Sequence, residues 1–380
     1  MNMENIEILN DFVKSRNLNK STKRSYQSSF KCFTEFTGMT LQELLDEAEA
    51  EEVAGIRWKD RKLKRRLVDY RNFLFENFLE NTAKTYFGHV KTLYNHYEIE
   101  IHILPPLNTK NTNKSVPLSY RDLPTKDIIS KAIDISKPVM RAIILFMSSS
   151  GCSKRETLNI TIDQFLKATY EYHNSTDINE AIRRMDNEND IIPTWQLKRH
   201  KTNKYYITFS SPESTKAIID YLIGSKRKLD LKDNLFKFNS LYLNNSFIYI
   251  NSSLDLGKAG TYNRFRPHIL RKFHASQLYN DGMPMEYVDH LQGRSKGKTQ
   301  SSYFMEDPEK LKQMYKEHMH AILIKTEVNK LDVKSKEYKD LEKKNDEYLD
   351  IINNRLAALE QAKNEPMMYG TNQYGETRRV

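Results

Sequence analysis

Apolar residues over the first 106 positions recur at helical spacing. In the stretch TKRSYQSSFKCFTEF, Tyr26, Phe30 and Phe33 follow one another at intervals of three to four residues. The stretch RKLKRRLVDYRNFLFENFLE repeats this spacing, and glycine is scarce throughout the region. Such a period places the apolar side chains on one face of an α-helix. The pattern therefore predicts an all-helical domain over residues 1–106.

Polar residues that cap helices mark where these helices are expected to begin. Ser21 precedes the first stretch, and Thr40 precedes the acidic stretch LQELLDEAEAEE. Asn81 or Thr82 precedes AKTYFGHVKTLYNHY. Short side-chain oxygens at such positions accept hydrogen bonds from the free N–H groups of the first turn. We expect these residues to start three of the helices.

The helical pattern ends in ILPPLNTKNTNKSVPLSYRDLPT, which contains four prolines together with several Asn, Thr and Ser residues. This composition is typical of a linker or a domain boundary. It predicts a linker over residues 107–118 and a second domain over residues 119–325.

The second domain combines helical periods with a short alternating stretch. Helices are predicted for KPVMRAIILFMSSSG, ended by Gly151, and for KDIISKAIDIS, PESTKAIIDYLIG, RPHILRKFHASQLYNDG and MEYVDHLQG. The stretch TWQLKRHKTNKYYITFSS alternates on both sides of Thr202 and Asn203, which predicts a β-hairpin. NSFIYINSS is a candidate for a further short strand. The expected fold class is mainly α with a small β-sheet.

Beyond the second domain, residues 326–363 carry apolar positions at heptad spacing, which predicts a coiled-coil-like helical tail. Asn345 and Arg355 interrupt the seam. Residues 364–380 are expected to be disordered. The heptad positions are Leu331, Tyr338, Leu341, Tyr348, Ile352 and Leu359.

The charge is concentrated in the two domains and not in the tail. The chain has a formal net charge of +10. From residue 326 onward there are ten Lys or Arg against eleven Asp or Glu, so the first 325 residues carry +11. A basic body favours a polyanionic partner, and the basic run from Arg57 to Arg66 favours contacts with the DNA backbone over a merely solvated face. The candidate DNA-binding residues are Lys20, Lys23, Arg24, Lys62, Arg65 and Arg66.

Several function classes lack support in the sequence. Cys32 and Cys152 are the two cysteines and have no CxxC spacing, which argues against a disulfide framework or a cysteine zinc site. There is no GxxxxGK[ST] motif for ATP and no converging group of Asp and Glu for a catalytic metal. No run of about 18 apolar residues and no signal pattern occur. We expect a soluble, cytoplasmic protein without a metal or other cofactor.

One short region gathers an imidazole and several cations. His268 and Arg271 are three residues apart on a predicted helix and so share a face, where they can grip a phosphate and move a proton. Arg294 comes directly after the next predicted helix, MEYVDHLQG, and the sequence places no carboxylate to match these cations. An isolated HxxR is more often part of an ordinary half-buried helix face.

Two further cations and one phenol extend this group. Arg155 begins a helix after the buried MRAIILFMSSSG segment, and a guanidinium there can clamp two phosphate oxygens, although a surface ion pair is the ordinary alternative. Lys201 lies at the predicted hairpin tip, with Lys198, Arg199 and Lys204 as neighbouring alternatives. In the polar stretch TQSSYF, Tyr303 presents a phenol that nearby cations would activate as a nucleophile.

The combination resembles the tyrosine recombinases, or phage-type integrases, over about residues 5–325. In that family an arginine after an SG turn, a hairpin lysine, an HxxR pair, a His or Trp and a tyrosine form the active site. The segment HLQGRS stands where the family usually has LLGHS, and Tyr303 follows Arg294 by nine residues. The resemblance implies that the catalytic residues are Arg155, Lys201, His268, Arg271, Arg294 and Tyr303.

Two positions depart from the family pattern. In GLRxxEL the arginine stands three residues before the glutamate, whereas here Ser153 has that place and Arg155 immediately precedes Glu156. Either Arg155 or Lys154 would then serve. Arg294 stands where the family has His or Trp, with His290 as the alternative, and such departures suggest an archaeal or viral-like variant. Tyr315 is the alternative nucleophile.

The resemblance implies a helical core-binding domain that forms a C-shaped clamp around duplex DNA together with the catalytic domain. Tyr303 would attack a phosphodiester to give a 3′-phosphotyrosine, with Lys201 as acid and the arginines stabilising the charge. The implied function is a site-specific recombinase of a mobile element or integrating virus that acts on double-stranded DNA as a homo-oligomer, a tetramer. A non-catalytic DNA-binding protein and a type IB topoisomerase are the alternatives.

Overall fold

The computed structural model describes residues 2–108, 114, 116–188, 190–199, 201–294, 307–325, 369–371 and 377–379. The chain divides into two compact units. The first comprises residues 1–120 together with 258–262, and the second comprises residues 121–257 and 263–380.

Five helices build the first unit within the described residues. Their apolar faces meet in a core of fully buried rings, among them Phe12, Phe30 and Phe33, with Tyr70 4.7 Å from the ring of Phe33. Helical periodicity in the sequence thus becomes a single packed interior. The helices are α1 (Met3–Ser15), α2 (Lys20–Thr37), α3 (Leu41–Val53), α4 (Lys62–Asn77) and α5 (Glu80–His96).

The predicted helix starts are right at one position and wrong at two. Thr40 caps α3, and its side chain and that of Glu43 form a reciprocal capping box. Asn19, not Ser21, caps α2, because the Asn19 side chain accepts a hydrogen bond from the backbone N–H of Thr22. The helix α5 begins at Glu80 without any side-chain cap, so neither Asn81 nor Thr82 starts it.

The start of α4 corrects the expectation of a uniformly exposed basic run. Arg61 is buried, and its guanidinium donates to the Glu52 carboxylate over 2.7 Å and to the Ile56 carbonyl. The Glu51 carboxylate accepts the backbone N–H groups of Lys62, at 2.7 Å, and of Leu63. Acidic residues at the end of α3 therefore stabilise the N-terminus of α4 and neutralise part of the basic run.

The second unit is mainly helical with a small sheet, as the pattern predicts. Its helices in the described residues are α6 (Lys126–Asp134), α7 (Pro138–Ser150), α8 (Lys154–Asn159), α9 (Ile162–Ala168), α10 (Tyr170–His173), α11 (Ile178–Met185), α12 (Pro212–Gly224), α13 (Ser240–Ser253), α14 (Pro267–Asn280), α15 (Met285–Leu291) and α16 (Pro308–His318). Its strands are β1 (Thr194–Arg199) and β2 (Lys204–Phe209). A further two-residue pair, β3 (Lys258–Ala259) and β4 (Tyr262–Asn263), is formed by residues 258–263, of which 258–262 belong to the first unit.

The predicted hairpin is confirmed. Strands β1 and β2 pair antiparallel, with Leu197 opposite Tyr206 and Arg199 opposite Lys204. The turn uses Asn203 in the left-handed region at φ 57°, which asparagine tolerates better than most residues. The sheet contributes the buried Trp195, whose indole N–H donates to the Ser210 hydroxyl.

Two expectations about strands and disorder are wrong. NSFIYINSS belongs to helix α13, because Leu243, Phe247 and Ile250 recur at helical spacing and are buried. In the segment expected to be disordered, β5 (Tyr369–Thr371) pairs antiparallel with β6 (Thr377–Arg379). The predicted tail helix over 326–363 lies outside the described residues.

Helix α7 forms the centre of the second core and packs against α6, α12 and α14. Its residues from Ala142 to Ser150 are all buried, as the apolar sequence predicts. Gly151 ends the helix with φ 66°, a left-handed conformation that glycine adopts without strain. This turn is the starting point of the candidate site.

The described residues contain no helix with the length and apolar character needed to cross a membrane.

Candidate active site

The Gly151 turn is enclosed by side chains from two other helices. A Cβ atom at this position would lie 2.6 Å from Nδ1 of His274 and 3.0 Å from Nε2 of Gln292. Only a glycine therefore fits, for steric as well as conformational reasons. The Gly151 carbonyl oxygen accepts a hydrogen bond of 2.6 Å from Nη1 of Arg271.

Arg271 is buried at this junction, with 7% of its surface exposed. Besides the Gly151 carbonyl, its guanidinium donates from Nη2 to the Gln292 carbonyl over 2.5 Å. Backbone carbonyls from the end of α7 and the end of α15 thus hold the guanidinium on α14 in a fixed orientation. A buried, oriented cation of this kind is suited to stabilise charge on a phosphate.

Carboxylates do face two of the predicted cations, which corrects the expectation that none matches them. Glu156 is buried, and its Oε2 lies 3.7 Å from Nη1 of Arg271. Asp289 forms a 2.9 Å ion pair with Nη1 of Arg294. The sequence conceals both partners, since Glu156 is 115 positions from Arg271 and Asp289 belongs to the preceding helix.

The start of α8 separates Glu156 from its neighbour Arg155. Ser153 caps this helix and forms a reciprocal capping box with Glu156, whose carboxylate accepts the Ser153 N–H at 2.7 Å. Arg155 is exposed and forms no hydrogen bond or ion pair with any other described residue. Lys154 reaches away to α13, where its ammonium donates to the Asn244 side chain over 2.6 Å. The structure therefore does not bring Arg155 or Lys154 to Arg271.

The side chains of Gln292 and His274 contact each other and lie against the Gly151 turn. The fully buried Gln292 amide donates to the Arg271 carbonyl over 2.9 Å and lies 3.0 Å from Nδ1 of His274. Burial first, and then the positive charge of Arg271 and Arg294, lower the pKa of His274 to about 3. His274 is therefore neutral at physiological pH, and its ring serves as packing for the Gly151 turn.

Arg199 joins the site, although the sequence pattern predicted it only as an alternative to Lys201. Its Nη1 donates to the Gly293 carbonyl and lies 3.5 Å from the Gln292 carbonyl, the same oxygen that accepts from Arg271. The strand alternation could have revealed it, because Trp195, Leu197 and Arg199 share one face of β1.

Gly293 fits closely against the hairpin. It has φ 57°, and a Cβ atom there would lie 2.7 Å from the Tyr206 ring. Tyr206 is buried on β2, and its hydroxyl lies 3.6 Å from Sγ of Cys152. Burial is the main cause that raises the pKa of this phenol well above its ordinary value, so Tyr206 stays protonated beside the site.

Lys201 lies in the turn of the hairpin and is exposed. Lys198 faces outward from β1, with its ammonium 5.4 Å from the centre of the Tyr205 ring. Lys204 is also exposed, at the start of β2. Among these lysines, Lys201 is the one in the turn itself, and its role remains a prediction.

His268 lies one helical turn before Arg271, on the exposed part of the first turn of α14. Partial loss of solvent around the ring, followed by the positive charges of Lys272, Arg266, Arg271 and Arg294, lowers its pKa. The ring is therefore neutral near pH 7 and available to accept a proton. Four cations that act on one imidazole also show that this end of α14 is strongly electropositive.

The two candidate nucleophiles differ in what the structure describes. Tyr303 lies outside the described residues, so its place remains a prediction. Tyr315, the alternative, is buried on α16, and its hydroxyl donates to the Ser149 carbonyl over 2.9 Å. Burial raises the pKa of Tyr315 well above its ordinary value. Tyr315 thus belongs to the core and cannot reach a DNA phosphate without local unfolding.

No protein-family model matches the chain, and no curated protein matches it in sequence. Among solved structures, it is similar to the XerH site-specific recombinase bound to its difH substrate, with 17% identity and a TM-score of 0.47 over 80% of this chain and 82% of that one. It is also similar to a lambda integrase tetramer bound to a Holliday junction, with 13% identity and a TM-score of 0.47 over 79% and 76% of the two chains. The XerA recombinase matches with 17% identity and a TM-score of 0.34, over 83% of this chain and 98% of its own.

The candidate DNA-binding residues all lie in the first unit, in the first two turns of α2 and α4. Lys20, Arg24 and Arg65 are exposed. The other three have partners: Lys23 donates to the Asn10 side chain, and Lys62 and Arg66 both pair with Glu47. Burial tends to raise the pKa of the Glu47 carboxyl, but the pairing with Arg66 and Lys62 outweighs it and lowers that pKa.

Among the described residues, no three His, Cys, Asp or Glu side chains are grouped so that they could hold a metal ion.

Proposed function

We propose that this chain is a DNA strand transferase of the tyrosine-recombinase type, which cuts and rejoins duplex DNA through a 3′-phosphotyrosine. The observation that carries the proposal is the buried Arg271, oriented by the carbonyls of Gly151 and Gln292, with the neutral His268 one helical turn away. An oriented cation beside a neutral base matches the needs of phosphoryl transfer without a metal.

In the proposed reaction, the phenolic oxygen of Tyr303 attacks the phosphorus of one phosphodiester. The Tyr303 O–P bond forms while the bond from phosphorus to the 5′-oxygen breaks. His268 accepts the phenolic proton, and Lys201 donates a proton to the departing 5′-oxygen, which leaves as a hydroxyl group. The phosphotyrosine retains the energy of the broken bond, so a 5′-hydroxyl from another strand can reverse the step without a cofactor.

Positive charge stabilises the transition state of this step. Arg271 is the best-positioned residue for the negative charge on the non-bridging oxygens, since its guanidinium is already desolvated and oriented. Arg294 is half-exposed and paired with Asp289, so its contribution requires that the phosphate competes with that carboxylate. Arg155 is exposed on α8 and is better placed for a contact with the DNA backbone outside the reacting centre.

A duplex with a nick close to the cleavage position tests the proposal. Cleavage then releases a short fragment that carries the 5′-hydroxyl, and its loss prevents rejoining, so the covalent intermediate accumulates. We expect the full chain to form a denaturation-resistant adduct, and mass spectrometry to place the nucleotide on the peptide that contains Tyr303. Tyr303→Phe should bind DNA without forming adduct. Tyr315→Phe serves as the matched control and should form adduct; the reverse result would assign the nucleophile to Tyr315.

The first unit is proposed to contact the DNA backbone through its exposed cations. Each neutralised phosphate contributes about −0.9 to the slope of log affinity against log salt. We expect the triple change Lys20→Gln, Arg24→Gln and Arg65→Gln to reduce the slope by about two to three. Changing Lys62, which already pairs with Glu47, should alter the slope less. Equal slopes for the wild type and the triple variant would contradict this assignment.

A non-catalytic DNA-binding protein is the second candidate, and one observation favours it. Ser153 occupies the place of the family's first arginine and is used as a helix cap, while Arg155 is exposed. The nicked duplex separates the two functions, because a binding protein would retain the duplex but form no adduct. Joining to a second duplex would further separate a recombinase from a topoisomerase, and light scattering on DNA would test the proposed tetramer.

A further inference from the structure

We infer that Arg199 supplies the second guanidinium of the phosphate-binding centre, on an element where the motif pattern does not place an arginine. This inference rests on the proposed function, since it assigns a residue to the same reaction. It is carried by the position of Arg199 beside Arg271, with the Gln292 carbonyl between them.

The pleat of β1 directs Arg199 toward the site. Trp195 and Leu197 on the same face are buried, whereas Gln196 and Lys198 on the other face are exposed. A guanidinium on the inward face must find acceptors as it leaves water. Arg199 finds the Gly293 carbonyl and approaches the Gln292 carbonyl, so its position follows from the strand register and is not that of a freely moving surface arginine.

The charge balance leaves positive charge available for an anion. Arg199 forms no ion pair with any carboxylate of the described residues, and it tends to lower the pKa of Arg271, which indicates that the two cations repel each other. Glu156 faces Arg271 at 3.7 Å and can balance one of these two charges. Two guanidinium groups held together against their repulsion favour a bound anion, and the proposed substrate is a phosphodiester.

The donor geometry also fits. A guanidinium carries five N–H donors, and the contacts of Arg199 with the carbonyls use Nη1 alone. Nη2 and Nε remain for a non-bridging oxygen. Ser153 cannot replace this function, because its hydroxyl accepts the N–H of Glu156 and a serine carries no positive charge.

The alternative role for Arg199 is purely structural, as a brace between the hairpin and the end of α15. A substrate that lacks the negative charge distinguishes the two roles. In a methylphosphonate linkage, a methyl group replaces one non-bridging oxygen and the linkage is neutral. A residue that acts by neutralising the phosphate is dispensable on this substrate, whereas a residue that braces the fold is needed on both.

The experiment measures single-turnover adduct formation on nicked duplexes with either phosphate or methylphosphonate at the cleavage position, at saturating protein. We expect Arg199→Gln to lower the rate about 10²-fold or more on phosphate, the size expected when one oxyanion donor is lost. On methylphosphonate the variant should come within about tenfold of the wild type. Lys167→Gln, which removes an exposed cation from α9 of the same unit, is the control and should stay near the wild type on both substrates.

Arg199→Lys covers the case in which Arg199→Gln does not fold, because it retains a cation but loses the forked donors. The rate of adduct formation by Arg199→Lys on phosphate should fall less than that of Arg199→Gln. Its deficit relative to the wild type should also shrink less when methylphosphonate replaces phosphate. Equal losses on both substrates, or no loss on phosphate, would overturn the inference while adduct formation by the wild type upholds the proposed function. Absence of any wild-type adduct on either substrate would overturn both.

Discussion

Two glycine turns, one at Gly151 and one at Gly293, use the same device in different surroundings. Both glycines have left-handed backbone, with φ 66° and 57°, and both are covered by a ring that leaves no space for a Cβ atom. Each turn presents its carbonyl to a guanidinium: Gly151 to Arg271, and Gly293 to Arg199. The Gln292 carbonyl between them contacts both arginines.

The surroundings of the two turns differ in depth. The Gly151 turn ends the buried helix α7 and is covered by the fully buried ring of His274. The Gly293 turn follows the short helix α15, is covered by Tyr206 from the hairpin, and leads to the half-exposed Arg294. The comparison indicates that the first turn fixes a cation in the core, whereas the second connects the core to the hairpin and to the surface.

Gly151→Ala should have the largest effect on stability. The left-handed backbone costs an alanine about 1–2 kcal/mol, and the contact with the His274 ring adds about 1–3 kcal/mol. We expect the free energy of unfolding to fall by about 2–5 kcal/mol, as measured by urea unfolding. Trp195 fluorescence in a Trp58→Phe background reports on the second unit alone, because the chain has one tryptophan in each unit.

Gly257→Ala is the control for this change. Gly257 has φ 67° and belongs to the same unit, but a Cβ atom there would have no neighbour within 4 Å. Its substitution should cost about 1–2 kcal/mol, the backbone contribution alone. Equal losses at the two glycines would show that the fit against His274 has no energetic weight.

Gly293→Ala should destabilise the second unit by about 2–4 kcal/mol, for the same two reasons. Because the obstructing ring belongs to Tyr206, the loss should shrink in a Tyr206→Leu background. A double-mutant cycle from urea unfolding should therefore give a coupling energy of about 1–2 kcal/mol. If the effects of the two substitutions on the free energy of unfolding simply add, the hairpin accommodates the new methyl group without loss of stability.

The buried and the exposed arginine should respond differently to loss of their carboxylates. Glu156→Gln retains the capping box but removes the charge that faces the buried Arg271, so we expect a loss of about 2–3 kcal/mol. Asp289→Asn acts on the half-exposed Arg294 and should cost less than about 1 kcal/mol. Thermal or urea unfolding of the two variants in parallel checks the order, and a larger effect at Asp289 would reverse the comparison.

His274 makes the Gly151 turn sensitive to acid. Its pKa is lowered to about 3 by burial and by Arg271 and Arg294, so the unfolded state binds the proton more readily. Stability from this group is present above about pH 6.5 and is lost as the pH falls toward 3. As the pH falls from 7 to 5, this group lowers the free energy of unfolding by about 2 kcal/mol. His274→Asn should lose correspondingly less stability over this interval, and identical pH profiles would exclude the assignment.

Local patterns were sufficient to predict several parts of this fold. The apolar run that becomes α7, its end at Gly151 and the hairpin around Asn203 follow from periodicity and turn chemistry, which act over a few residues. The strand expected near Phe247 was wrong because a short apolar stretch is compatible with a strand or a helix, and the helical spacing of Leu243, Phe247 and Ile250 decides in favour of the helix.

The partners of the arginines could not be predicted in this way. Glu156 caps its own helix and also faces Arg271, a contact that depends on how α8 and α14 pack. Backbone carbonyls hold both guanidinium groups, and no residue type marks a carbonyl in the sequence. The inward position of Arg199 is different, because strand alternation could have revealed it: the residue shares one face of β1 with Trp195 and Leu197. The place of Tyr303 remains a prediction from spacing.

The use of main-chain oxygens around Gln292 has a consequence for mutational scanning. Every amino acid at that position carries the same carbonyl, so replacement of the side chain deletes none of the acceptors that orient Arg199 and Arg271. Side-chain replacements at Arg199 and Arg271 would therefore be registered in such a scan, whereas a replacement at Gln292 would not report on its carbonyl. Substitutions at Gly151 and Gly293, which redirect the backbone, would instead disturb the carbonyls that hold the two guanidinium groups.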